Sequence, residues 1–204
     1  GGVGDSFEIS AAHGAIPTRK ASFVFKDMTT ATSYATPSYV SSPSLFHFAQ
    51  GAITIGGSVT EPTTTAIASG GTSVATVTDF SVKVDNKLNA DRYAYGGAGK
   101  MSQPTYGLRD VGGKLTIEYD SQTMTSAYVA DTELALTLTF TSAESLSTGY
   151  ATLQIVLPAI KLNGELPKTN GTDLITQSVD FDVLDNLSAA QPIWCVLRTA
   201  DTAL

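Results

Sequence analysis

The chain is poor in charge. Charged residues make up 15% of its 204 positions, against the usual quarter or so. Threonine and serine fill much of that gap, a surface suited to a β-rich protein held against other protein. Basic excess is also missing. The formal net charge is −7, which argues against a basic nucleic-acid clamp. Cysteine is nearly absent: Cys195 stands alone and cannot form an internal disulfide, so assembly in a reducing cytoplasm is expected. Its neighbours Ile193, Trp194, Val196 and Leu197 predict a buried, unreactive thiol. No apolar run approaches the ~20 residues of a membrane-spanning helix, and no signal peptide opens the sequence. The chain begins at Gly1 without an initiator Met, read as a trimmed form or part of a longer product.

Catalytic signatures are lacking too. His13 and His47 are the only histidines, and neither lies at metal-ligand spacing from a second ligand type. The run Asp85–Asp91, "DNKLNAD", carries oxygen ligands but lacks an EF-hand's glycine and closing glutamate, so it reads as a strand-end turn. Asp180 and Asp182 stand two apart on one strand face, a spacing routine for solvated strands as well as for paired hydrolytic carboxylates. No nucleophile elbow or P-loop is present. "NGT" at Asn170 matches a glycosylation sequon, but a turn explains it. The expectation is a non-enzyme with no cofactor and no metal.

What is present is alternation. "DFSVKVD" puts Phe80, Val82 and Val84 on one face and Asp79, Ser81, Lys83 and Asp85 on the other. "ELALTLTFTS" gathers Leu134, Leu136, Leu138 and Phe140. "SVDFDVL" turns Val179, Phe181 and Val183 inward and Ser178, Asp180 and Asp182 outward. Such period-two runs predict strands with one buried face. Asn-Gly and Gly-Gly pairs punctuate them. One helix is expected in "YDSQTMTSAYVADTEL", capped by Asp120 or Ser121, with Met124, Ala127 and Tyr128 on one side. Residues 29–44 and 60–73 read as exposed loops. The fold expected is all-β with one short helix, a sandwich or barrel. It forms a single domain over 1–204, with a possible N-terminal arm at 1–20 and a long inter-strand loop at 86–112. That loop far exceeds the 2–5 residues of most hairpins.

Three stretches in the second half carry a family likeness: "VTDFSVKVDNKLNADRY" from Val77, "YGLRDVGGKLTIEYDSQTM" from Tyr106, and "LPAIKLNGELPKTNGTDLITQSVDFDVLDN" from Leu157. In order and spacing, residues 77–198 resemble the tail tube (major tail) proteins of long-tailed bacteriophages. The resemblance implies a β-sandwich flanked by a helix. It also implies hexameric rings that stack into a hollow tube, other tail proteins as partners, and DNA passing through without specific binding. It further implies a place in the virion after synthesis in the host cytoplasm, with no membrane partner. The 86–112 loop would reach the next ring. Its Tyr93, Tyr95, Met101 and Tyr106 are the candidate interface anchors. Asp79, Asp85, Glu118 and Asp120 are the candidate lumen-facing acids. Competing expectations are another β-sandwich surface protein, a capsid decoration or pilin-like module, and a carbohydrate-binding module.

Overall fold

A computed structural model describes residues 2–28, 30–37, 45–74, 76–97, 99–118, 123–163 and 175–200. The N-terminal residues form two strands, β1 (Gly2–Ala11) and β2 (Thr18–Phe25), rather than a free arm. A single 3-10 turn, Phe48–Gln50, leads into β3 (Gly51–Ile55). The short strands β4 (Val59–Thr60), β5 (Ser69–Gly70) and β6 (Ser73–Val74) follow. Next come β7 (Val77–Asp85), β8 (Asp110–Glu118) and the helix α1 (Thr123–Val129). The chain continues through β9 (Leu134–Leu146), β10 (Gly149–Asn163), β11 (Thr176–Val183) and β12 (Trp194–Arg198).

All but β4 and β5 join one antiparallel sheet in the order β2-β1-β7-β8-β11-β10-β9-β3-β6, with β12 also on β10. That sheet folds over itself as an all-β sandwich. The hinge is β10. Its Thr152–Val156 segment pairs with β12, and its Ile160–Asn163 segment pairs with β11. Between them the register on β9 breaks, from Leu157 to Ile160. Pro158 sits in this break. It has no N–H to give a ladder, so a bulge is where a long strand tolerates it. β10 thus leaves the half-sheet β12-β10-β9-β3-β6 and enters β2-β1-β7-β8-β11.

The core lies between these halves. Val82, Leu115, Leu136, Leu157, Ile160 and Phe181 are sealed from solvent, each side chain contributing about 1.5–3 kcal/mol by burial. Val82, Gly113 and Phe181 stand in one cross-strand row. A Cβ on Gly113 would run into the Phe181 ring and the Ser81 carbonyl. The glycine makes room for that ring, which stacks on Phe80 at 6.4 Å between centroids. Met124 and Ala127 of α1 pack against the core, and Tyr128 is part-exposed. Asp120 and Ser121, the expected caps, lie outside the described residues.

One expected loop is exposed along most of its length but pinned at Pro62 and Ala68, which are buried. Residues 60–73 contain the β4–β5 hairpin, laid over the outer side of β9 and β10. Gln154, 2% exposed, receives the Ala68 N–H at 2.8 Å and donates to the Ala68 carbonyl and the Thr139 hydroxyl. Thr137, Thr152 and Ala68 are buried with it. The outer face of β9 is therefore a covered polar layer from Ala135 to Thr139 and solvated from Thr141 onward.

Candidate assembly surfaces

The outer face of the half-sheet β2-β1-β7-β8-β11 collects the outward residues named above. Register defines its rows. Lys20, Glu8, Lys83, Gly112 and Asp182 form one; Thr18, Ser10, Ser81, Lys114 and Asp180 form the next. Asp79, Thr116 and Ser178 form a third, with Glu118 beside Thr176 beyond it. Asp79, Asp85 and Glu118 thus share one continuous face with Asp180 and Asp182, while Asp120 lies outside the described residues. Glu8, Asp79, Asp85, Glu118, Asp180 and Asp182 outnumber Lys20, Lys83 and Lys114. The pairs here are loose and exposed, as for Lys20–Glu8 at 3.9 Å and Lys83–Asp85 at 3.7 Å, and such pairs do little to mask charge.

At the end of this face Asp85 stands directly opposite Asp110. Lys87, in left-handed backbone with φ 47°, lies 3.4 Å from each carboxylate and relieves their repulsion. The Lys87 N–H, and after it the charges of Lys87 and Lys83, hold the Asp85 carboxyl below the usual carboxylate range. Asp110, then Asp85, push the Lys87 ammonium up. Asn86 donates to the Gly4 carbonyl and accepts from Arg109 Nε, both at 3.0 Å. "DNKLNAD" is therefore the braced root of the long loop. Among the described residues, no group of three or more His, Cys, Asp or Glu could hold a metal ion.

The loop itself spans residues 86–109 rather than 86–112, because β8 begins at Asp110. It doubles back as an irregular finger. The Asn89 N–H donates to the Thr105 carbonyl at 3.0 Å, Ser102 N–H to the Arg92 carbonyl at 2.8 Å, and Arg92 Nη1 to the Gln103 carbonyl at 2.9 Å. Gly96 and Gly99, at φ 87° and 73°, turn its tip, a conformation costly to other residues. Tyr93 and Tyr106 are about two-thirds exposed and Tyr95 wholly so. Met101 differs: it is 7% exposed, buried within its own chain. Lys100 is ion-paired with Asp27 just beyond β2, tying the finger's far end to that strand. This pair, with the Met28 N–H, keeps the Asp27 carboxyl low.

Cys195 also departs from expectation. It stands in the inner-face row Cys195, Ile155, Leu138, Ile53 and Val74, so its direction matches its apolar neighbours. β12 is an edge strand, however, and the residue is exposed there, as is Leu197 at 56%. Desolvation still pushes the thiol up, and Arg19 pulls it partly back. No helix among the described residues is long and apolar enough to cross a membrane.

Comparison with known proteins adds one match. The family described as "Phage tail tube protein" matches the chain over residues 1–183. No curated protein matches it.

Proposed function

The chain belongs to the phage tail tube protein family, a structural component of the virion tail, and from that premise we propose that it self-assembles into stacked rings enclosing a DNA conduit. The observation that carries this reading is the two-sided half-sheet β2-β1-β7-β8-β11. One side is core; the other is a continuous polar face with an acidic excess. Copies arranged around an axis with this face inward make a bore that repels phosphate within the Debye length, about 8 Å at physiological salt. A lysine-rich wall would instead bind DNA by releasing counterions and act as a brake.

One edge of that half-sheet is open to a neighbouring copy. The outer edge of β2 has no partner strand among the described residues, and β2 itself carries Arg19 and Lys20 without an acid. On its other side the half-sheet continues from β11 into β10, where Asp182 and Asp180 stand opposite Lys161 and Asn163. Six copies is the number that the family likeness implies. Other tail proteins would cap the tube, DNA would pass without sequence recognition, and synthesis would precede assembly in the host cytoplasm. No step of catalysis is assigned to any residue. Negative-stain microscopy of the purified chain at rising concentration tests the reading. Rings and hollow tubes are expected; a monodisperse monomer at every concentration would reject it.

A further inference from the structure

We infer that the polar layer under the β4–β5 hairpin binds water, in a site made by Thr54, Thr137 and Trp194. The site belongs to the folded chain, whatever that chain assembles into.

Register sets these three side chains in one row across the outer face of the half-sheet β12-β10-β9-β3-β6. Thr54 stands opposite Thr137, Thr137 opposite Val156, and Val156 opposite Trp194. Thr137 is 6% exposed and Val156 is sealed. Thr54 and Trp194 are part-buried as residues. Their polar atoms, Thr54 Oγ1 and Trp194 Nε1, are closed to solvent all the same, as is Thr137 Oγ1, and none of the three has a hydrogen-bond partner among the described residues. Five described side-chain atoms share that condition, and three of them fall in this one row.

The neighbouring row shows the dry alternative. There Gln154 spends its amide on the Ala68 backbone and the Thr139 hydroxyl, so chain and sheet meet directly. Above Thr54 the chain also comes close. A Cβ on Gly71, whose φ is 82°, would lie 2.5 Å from the Thr54 hydroxyl. The Gly71 N–H, however, is already given to the Ser58 carbonyl at 2.9 Å.

Buried polar atoms are nearly always paired, and a group of unpaired ones marks a place for water or an ion. The chemistry here selects water. An indole N–H only donates, so it gives a cation no ligand. No lysine or arginine stands in the row to balance an anion. Water accepts from the indole and either donates to or accepts from a hydroxyl. Three polar partners is also the usual number for a buried water. The spacing agrees. Side chains opposed on antiparallel strands have Cβ atoms about 4.5–5.5 Å apart. Two hydrogen bonds of about 2.8 Å meeting at a tetrahedral angle span about 4.6 Å. One water therefore bridges Thr54 and Thr137. Val156 offers nothing polar, so the indole N–H beyond it draws on water of the same layer.

Trp194 is the only tryptophan in the chain, so its N–H can be followed without assignment. In ¹⁵N-labelled protein the single indole resonance should exchange slowly and show a cross-peak to water, with the sign given by a long-lived bound molecule. Thr137→Val keeps the side chain's shape and removes the hydroxyl. It should raise the unfolding equilibrium constant about fivefold, because a satisfied hydroxyl is lost and its water is left a partner short. A hydroxyl that stayed dry would make the same change neutral or stabilising. Thr54→Val should act alike, and the double variant should fall short of the product of the two, since both threonines hold one water. Thr137→Ser, which keeps the hydroxyl, should keep the cross-peak. An indole resonance with no water cross-peak, a Thr137→Val chain as stable as the parent or more so, or fold-changes that simply multiply, would overturn the site.

Discussion

Gly113 shows how a single residue positions a whole face. Its missing Cβ lets Phe181 lie across β8, which keeps β8 and β11 in one sheet and so keeps Asp180 and Asp182 level with Lys83 and Ser81. Gly113→Ala forces either the ring or the Ser81 carbonyl to move. A loss of about 1–3 kcal/mol is expected for such overpacking, read as a lower denaturant midpoint with unchanged slope. At Cys195 the expectation concerns reactivity. The native chain should label with a thiol reagent, because the residue is exposed at the β12 edge. Labelling should be slower than for a free cysteine at neutral pH and should accelerate as pH rises, because the raised pKa lowers the thiolate fraction. Labelling only after unfolding would contradict the edge position. Its apolar sequence neighbours predicted burial, and the register does set the thiol in an inner-face row. The local pattern could not show that, among the described residues, no strand lies beyond β12, since an edge is a property of topology and not of local sequence.

Among the elements, the long strands were legible because side-chain period is local. The inward sets of β7, β9 and β11 follow from alternation with no knowledge of partners. Two other elements were not legible, for physical reasons. The threonines of β9 look alike whether water or a hairpin covers them, so the buried Gln154–Ala68 clamp left no signal in the pattern. The Gly112–Gly113 pair reads as punctuation, yet both residues lie inside β8, where an aromatic ring covers the second. Gln154→Leu should cost about 1–3 kcal/mol, because the Ala68 N–H and carbonyl lose their buried partners. Hydrogen exchange at residues 61–70 should speed up while β7 and β8 stay protected. For the finger, replacing residues 94–100 by a two-residue turn spares Met101 and should leave the thermal midpoint within a few degrees. Rings should still form, and long tubes should not. The finger should also respond to acid. The Asp27 carboxyl is held low by Lys100 and the Met28 N–H, so the tie is complete above about pH 4, the ordinary carboxylate value. It is lost as pH falls through the lowered value. Exchange at residues 92–100 should therefore rise in acid before the sandwich unfolds.

For the whole molecule, the account turns on which surface faces the axis. The bent β10 brings two half-sheets together with different outer sides: one covered by the β4–β5 hairpin, the other an open acidic face. Reversing Asp85, Asp180 and Asp182 to lysine should preserve tubes and slow genome passage, with added salt relieving the slowing. Passage at the parent rate would show that wall charge does not matter or that these residues face elsewhere. The most direct measurement is a cryo-electron microscopy reconstruction of tubes grown from the purified chain. The account predicts an open bore lined by β2, β1, β7, β8 and β11, with Asp180 and Asp182 pointing into it. A filament without a bore, or one whose bore is lined by the β4–β5 hairpin, would contradict it.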